Sequence, residues 1–116
     1  MTDVPPQGPP VPAAGLDRLL SDPTRLAIMS ILCAVEWCDF AFLRDSVSLS
    51  DSALSKQLTT LKSDGQIEQR RTYLGRVPKT TIRATADGRR RFHQHAQALQ
   101  DIIARAPRPA AETPAS

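Results

Sequence analysis

A mainly α domain carrying one small β-hairpin is the fold class that this sequence predicts, and three observations point to it. Apolar residues recur at helical spacing in several separate stretches. One run past the middle alternates instead, around a Gly and a Pro. Capping residues sit at the edges of each stretch.

Residues 16–20 predict a short helical turn. Asp22-Pro23 then opens the first main helix: Asp22 can accept from orphan N–H groups, and Pro23 at the first helical position has no N–H to lose. Over residues 24–35, Leu26, Met29, Leu32 and Cys33 fall on one side, and Ile28, Ile31 and Val35 on another. A helix apolar on both sides must be covered on both. One side is therefore expected in the core, and Ile28, Ile31 and Val35 against a second protomer.

Trp37-Cys38-Asp39 breaks that period and can supply a short first strand. Asp39 is placed to cap a second helix over residues 40–46, packed through Phe40, Leu43 and Val47, with Leu49 in the turn that follows. Ser50 and Asp51 open a third helix reaching Asp64. Gly65 is placed to end it, because the position after a helix often takes a left-handed backbone that Gly adopts without strain. Two helices joined so closely predict a helix–turn–helix. On the third helix Leu54, Leu58 and Leu61 form the inward stripe. Opposite them lie Ser52, Ser55, Lys56, Thr59, Thr60 and Ser63, a small polar face with no acid beyond the first turn.

Residues 66–74 and 79–85 predict the two strands of a hairpin, with Ile67, Tyr73, Ile82 and Ala84 as apolar positions and Gly75-Arg76-Val77-Pro78 at the tip. Thr85 then caps a final helix to about Ala106, whose stripe is Phe92, Ala96, Leu99 and Ile103, flanked by His95 and Ile102. In a domain this small that stripe exceeds what one core can cover. Phe92, His95, Ala96, Leu99, Ile102 and Ile103 are therefore expected at a dimer interface, beside the outer side of the first helix. This order of parts is that of a winged helix-turn-helix dimerising through its first and last long helices.

The length of 116 residues predicts one folded unit. Residues 1–15 hold five prolines and residues 107–116 three more, with little large to bury, so both are expected as disordered tails around a domain of residues 16–106. Net charge is +3, but eight basic residues against two acids between Gln66 and Arg91 put +6 there and leave −3 elsewhere. A localised positive patch on an acidic body points to a polyanion on one face. No apolar run approaches the roughly 20 residues of a membrane span, and no secretory signal is visible. Cys33 and Cys38 do not make a disulfide framework, so a cytoplasmic protein without a membrane partner is expected. There is no Gly-rich phosphate loop, no paired carboxylates on a helix face and no nucleophile–His arrangement, so neither an enzyme nor a cofactor is implied. His93 and His95 point to different sides of a helix and lack metal-ligand spacing.

The runs SDPTRLAIMSIL, CDFAFLRDSVSLSDSALSKQLTTLKSDGQIEQ and TTIRATADGRRRF together resemble the MarR/ArsR-type winged-helix transcriptional regulators of bacteria, in their small members without a separate ligand domain. Three local motifs occur in the matching order: PTRL opening the first helix, LSKQLTTLKSDG as recognition helix and Gly stop, and ATADGRR entering the last helix. The resemblance covers about residues 22–103. It implies that Ser52, Ser55, Lys56, Gln57 and Thr60 approach the major groove, and that Arg70, Arg71, Arg76 and Lys79 belong to the wing. Where relatives often carry a hydrogen-bonding residue this chain has Ala53, which can touch a thymine methyl but cannot bond adenine twice.

The expected partner is thus a pseudo-palindromic double-stranded operator, bound by a homodimer whose recognition helices lie about one DNA turn, ~34 Å, apart. Wing arginines and Arg89 to Arg91 would neutralise phosphates or enter the minor groove, while the third helix reads bases. Repression by blocking the promoter is the default expectation. Two alternatives stand beside it. One is a winged-helix module for protein contacts with only non-specific DNA affinity. The other is a thiol-based metal or redox sensor using Cys33 and Cys38, although the Cys-x-Cys pair of metalloid-sensing relatives is absent.

Overall fold

The structure, a computed structural model, describes residues 15–105. The expected tails lie outside the described residues, apart from Gly15. A 3₁₀ turn, Leu19–Ser21, precedes α1, Pro23–Leu32. Strand β1, Cys38–Asp39, leads directly into α2, Phe40–Ser46, and then α3, Asp51–Ser63. The hairpin is β2, Ile67–Leu74, and β3, Val77–Ala84; the last element is α4, Ala86–Arg105. The sheet is antiparallel with strand order β1-β3-β2. This is the winged helix-turn-helix fold that the sequence predicts.

Local capping explains most of the boundaries. Asp22 Oδ2 accepts from the Arg25 amide at 3.0 Å, with Pro23 at the start of α1. Ser50 Oγ accepts from the Ala53 amide at 3.1 Å and starts α3. Gly65, with φ of +78°, ends it: its N–H donates to the Lys62 carbonyl at 3.0 Å and that of Gln66 to the Leu61 carbonyl at 3.0 Å, the paired bonds of a Schellman stop. Thr85 Oγ1 accepts from the Gly88 amide at 2.9 Å at the head of α4 and donates to the Gly65 carbonyl at 2.7 Å. Asp39 precedes α2 as expected but makes no capping bond, because its carboxylate pairs with Lys79 Nζ at 3.0 Å.

One core holds the domain together. Leu20, Ile28, Met29, Leu32, Leu43, Leu54, Leu58, Leu61 and Ile82 are all essentially inaccessible to solvent. Fully burying each such side chain is worth roughly 1.5–3 kcal/mol. Two residues expected at a dimer interface belong to this monomer instead. Ile28 is 0% exposed, because the 3₁₀ turn with Leu20 folds back over α1 and α4 packs against the same helix. His95 is 1% exposed, and its Nδ1 accepts the Asp17 N–H at 2.9 Å.

The inward line of α4 therefore runs through Gly88, His95 and Ala98, small or polar positions that an apolar stripe does not reveal. Close approach requires them: a methyl at Gly88 would overlap the Gln66 carbonyl. Phe92, Ala96, Leu99 and Ile102 are half-buried along the edge, and Ile103 is exposed. Val35 lies past the end of α1, exposed, while Ile31 on α1 is half-buried against the core.

Candidate nucleic-acid interface

On α3 the three buried leucines fix which side faces outward. Ser52, Ser55, Lys56 and Thr59 form an exposed strip along that side, with Lys62 exposed at its far end. The threonine hydroxyls are already committed as donors: Thr59 Oγ1 donates to the Ser55 carbonyl at 2.9 Å and Thr60 Oγ1 to the Lys56 carbonyl at 3.2 Å. Each then presents its lone pairs, suited to an amino group on a base edge. Asp51, the one acid of the helix, is bonded by Arg44 Nη1 at 2.8 Å, so its charge is neutralised at the edge of the strip.

Gln57 does not join the strip. It is half-buried, one step round toward the leucines, and its Oε1 accepts from Arg25 Nη1 at 3.0 Å. That bond and its half-buried position hold the amide away from the strip, where the two-bond contact to adenine for which its residue type is suited would be made. Thr60 is also half-buried. Thr59, already placed on the outward face by helical spacing, and Lys62, which the same spacing could have added, stand more openly than either.

The hairpin carries its own cations. Strand register places Arg71 opposite Thr80 and joins Leu74 to Val77 across a two-residue turn of Gly75 and Arg76. Gly75 has φ of +66°, at the first central position, where a tight hairpin turn favours glycine. Val77 and Pro78, expected in the tip loop, belong to β3. Among the described residues Arg71 and Arg76 are exposed and make no ion pair. Arg70 is exposed too, but its guanidinium lies 4.0 Å from the Trp37 ring centre, with that of Arg83 at 5.0 Å. Trp37 thus serves as a platform at the base of the wing, a role its sequence position did not suggest. Lys79 is tied to Asp39 and Arg83 to Glu68, at 3.1 Å.

The second half of the basic run has a different fate. Arg89 donates to the carbonyls of Cys33, at 3.0 Å, and Val35, at 2.8 Å, closing the end of α1 against α4. Arg90 pairs with Asp87. Arg91 is bonded by three carboxylates, those of Asp17, Asp64 and Asp87. Burial works to raise the Asp17 carboxyl, but bonds from Arg91 and from the Leu20 and Leu19 amides outweigh it and hold the group below its ordinary value. Arg89 and Arg91, expected on phosphates, are committed within the protein, while Arg90 stays exposed with its surface pair to Asp87.

Both thiols are shifted upward. Burial raises Cys33 against the pull of Arg89, and burial with the neighbouring Asp39 charge raises Cys38. A raised thiol holds less of the thiolate that binds metal or reacts. Among the described residues, no group of three His, Cys, Asp or Glu is placed to hold a metal ion. No helix among them is long and apolar enough to cross a membrane.

The sequence matches the winged helix DNA-binding domain family over residues 24–103, and the chain belongs to that family. An uncharacterised protein of Methanocaldococcus jannaschii is 30% identical over 79 residues, covering 67% of this chain and 85% of that protein. Among solved structures, a transcriptional regulator homologue from Pyrococcus horikoshii OT3 has a TM-score of 0.72 at 22% identity, over 76% of this chain and 87% of that one. The PcaV transcriptional regulator from Streptomyces coelicolor, bound to its natural ligand, gives 0.64 at 21% identity, over 84% and 69%. A mutant of ZitR from Lactococcus lactis gives 0.60 at 19%, over 72% of this chain but only 56% of that longer one. ZitR is described as a zinc-responsive MarR family member. At these identities the likeness is one of fold.

Proposed function

We propose that the protein is a MarR-type transcriptional regulator that binds a pseudo-palindromic DNA operator as a homodimer and represses from it. In this reading α3 enters the major groove and the β2–β3 hairpin takes the flanking phosphates and minor groove. The observation that carries it is the strip Ser52, Ser55, Lys56 and Thr59, exposed and acid-free beyond the first turn, on a helix followed directly by a hairpin whose Arg71 and Arg76 make no ion pair among the described residues. Small polar side chains leave room for a base edge, while arginines supply salt-dependent grip. Support for a dimer comes from α4, where Ala96, Leu99 and Ile102 are half-covered and Ile103 is 74% exposed. Ile31, Val35 and Phe92 are the further members of the proposed interface. Any effector would sit in the dimer cleft.

A gel shift of the full chain on its own upstream DNA, at two salt concentrations and with competitor DNA, tests the reading. Specific binding that weakens steeply with salt is expected. Weak binding to all sequences alike would leave the hairpin as a contact for an acidic protein. Lys56→Ala is expected to cost about 1–3 kcal/mol of binding if Lys56 meets a guanine. Unchanged affinity in that variant would remove α3 from the groove. Sedimentation at two concentrations checks the dimer.

A further inference from the structure

The last two residue pairs of the hairpin contradict its otherwise polar character. Tyr73 pairs with Pro78 and Leu74 with Val77. Cross-strand partners share a face and successive pairs alternate, so one apolar pair lies on each side of the ribbon. None of this is buried: Tyr73 is 63% exposed, Leu74 66% and Val77 64%. Hairpins left in water usually keep such positions polar, and here the residues just behind the tip are polar, Arg71 and Thr72 on β2 and Lys79 and Thr80 on β3. A tip apolar on both faces suits a slot with two walls better than a flat surface. Arg71 and Arg76 flank this tip, exposed and without an ion pair among the described residues, so a slot that is also lined with negative charge fits it. The DNA minor groove has that make-up: phosphates at the rims, deoxyribose walls, and base edges at the floor.

We propose that the wing tip enters the minor groove beside the α3 site and that Leu74 and Val77, backed by Tyr73 and Pro78, act as an apolar wedge. The wedge partly unstacks one base step and so selects operators whose flank carries a flexible pyrimidine–purine step. Specificity then arises at base pairs with which no side chain forms a hydrogen bond, through the energy of deforming the duplex. This rests on the DNA-binding reading above.

The test uses the full chain and two duplexes selected for binding, identical except that the flank is a TA step or a stiff A-tract. Wild type is expected to favour the TA flank by about tenfold and to bend it. The double variant Leu74→Thr/Val77→Thr keeps strand propensity and every arginine. It is expected to lose the preference and the bend while the salt slope stays the same; Leu74→Met is expected to restore them relative to Leu74→Thr. Equal discrimination by wild type and the double variant overturns the wedge, as does a salt slope that falls with the preference. Lack of specific binding by wild type on any duplex fails the parent reading instead. Sedimentation with vesicles of phosphatidylcholine and phosphatidylserine covers the other anionic, partly apolar surface. Capture of wild type but not the double variant, with DNA binding unaffected, also overturns the proposal.

Discussion

Arg71 and Arg76 on the hairpin and Arg89 and Arg91 on α4 come from one basic stretch of sequence, yet the fold uses them oppositely. The hairpin pair stands in solvent without a carboxylate among the described residues. Arg91 meets three carboxylates, and Arg89 meets two backbone carbonyls. An arginine already satisfied by its own protein has little left for a phosphate, since taking one up would mean surrendering charge-assisted bonds. Counting basic residues therefore overstates the DNA-facing charge. What remains available is the hairpin with Lys56 and Lys62 of α3, a smaller and more sharply placed patch than the stretch suggested.

Three substitutions can break or sharpen this contrast. The largest effect is expected from Arg91→Ala, which leaves the nearly covered Asp17 carboxylate without its cation and should cost on the order of 2–3 kcal/mol in urea unfolding. A loss of DNA affinity in variant that is fully folded, with stability unchanged, would reverse the assignment of this arginine. Asp17→Asn is expected to cost about 1–2 kcal/mol at neutral pH. The carboxyl is held below its ordinary 3.8, so its contribution is complete above that pH, shrinks as pH falls below it, and is gone beneath the lowered folded value. The gap between Asp17→Asn and wild type should accordingly close in acid; thermal melts at pH 7 and pH 2–3 measure it. Arg76→Ala should change stability by no more than about 0.5 kcal/mol while lowering the salt slope of DNA binding by about 1. Altered base preference with the slope intact would mean that Arg76 reads bases and does not grip phosphates.

Features written locally in the chain were legible from it. Asp22-Pro23, Ser50, Gly65 and Thr85 mark helix ends through contacts within a few residues, and each acts where the sequence places it. The outward side of α3 was legible because three leucines define its inward side. Less visible was what covers a given surface. The apolar period of α1 shows that two sides need partners but not that Leu20 and α4 supply one, so Ile28 was misplaced. His95 was misplaced for the same reason, its partner Asp17 lying 78 positions away. Charge is readable in sequence while pairing is not: Arg91 finds Asp17 across 74 positions and Asp64 across 27. Gln57 lies one step round from the proposed reading strip and bonds Arg25, on another helix.

The end of α3 is fastened to the start of α4 at several points. Thr85 bonds the Gly65 and Gln66 carbonyls, Gly88 nests against Gln66, and Arg91 holds Asp64. Proposed reader and proposed dimer helix are therefore fastened at one joint. In the proposed dimer such a molecule works as a caliper. The gap between its two readers is set where the partners cross, and one extra base pair between half-sites would shift a target by about 3.4 Å and rotate it around the duplex. A fastened joint resists that movement, so the proposed dimer is expected to discriminate spacing as well as sequence.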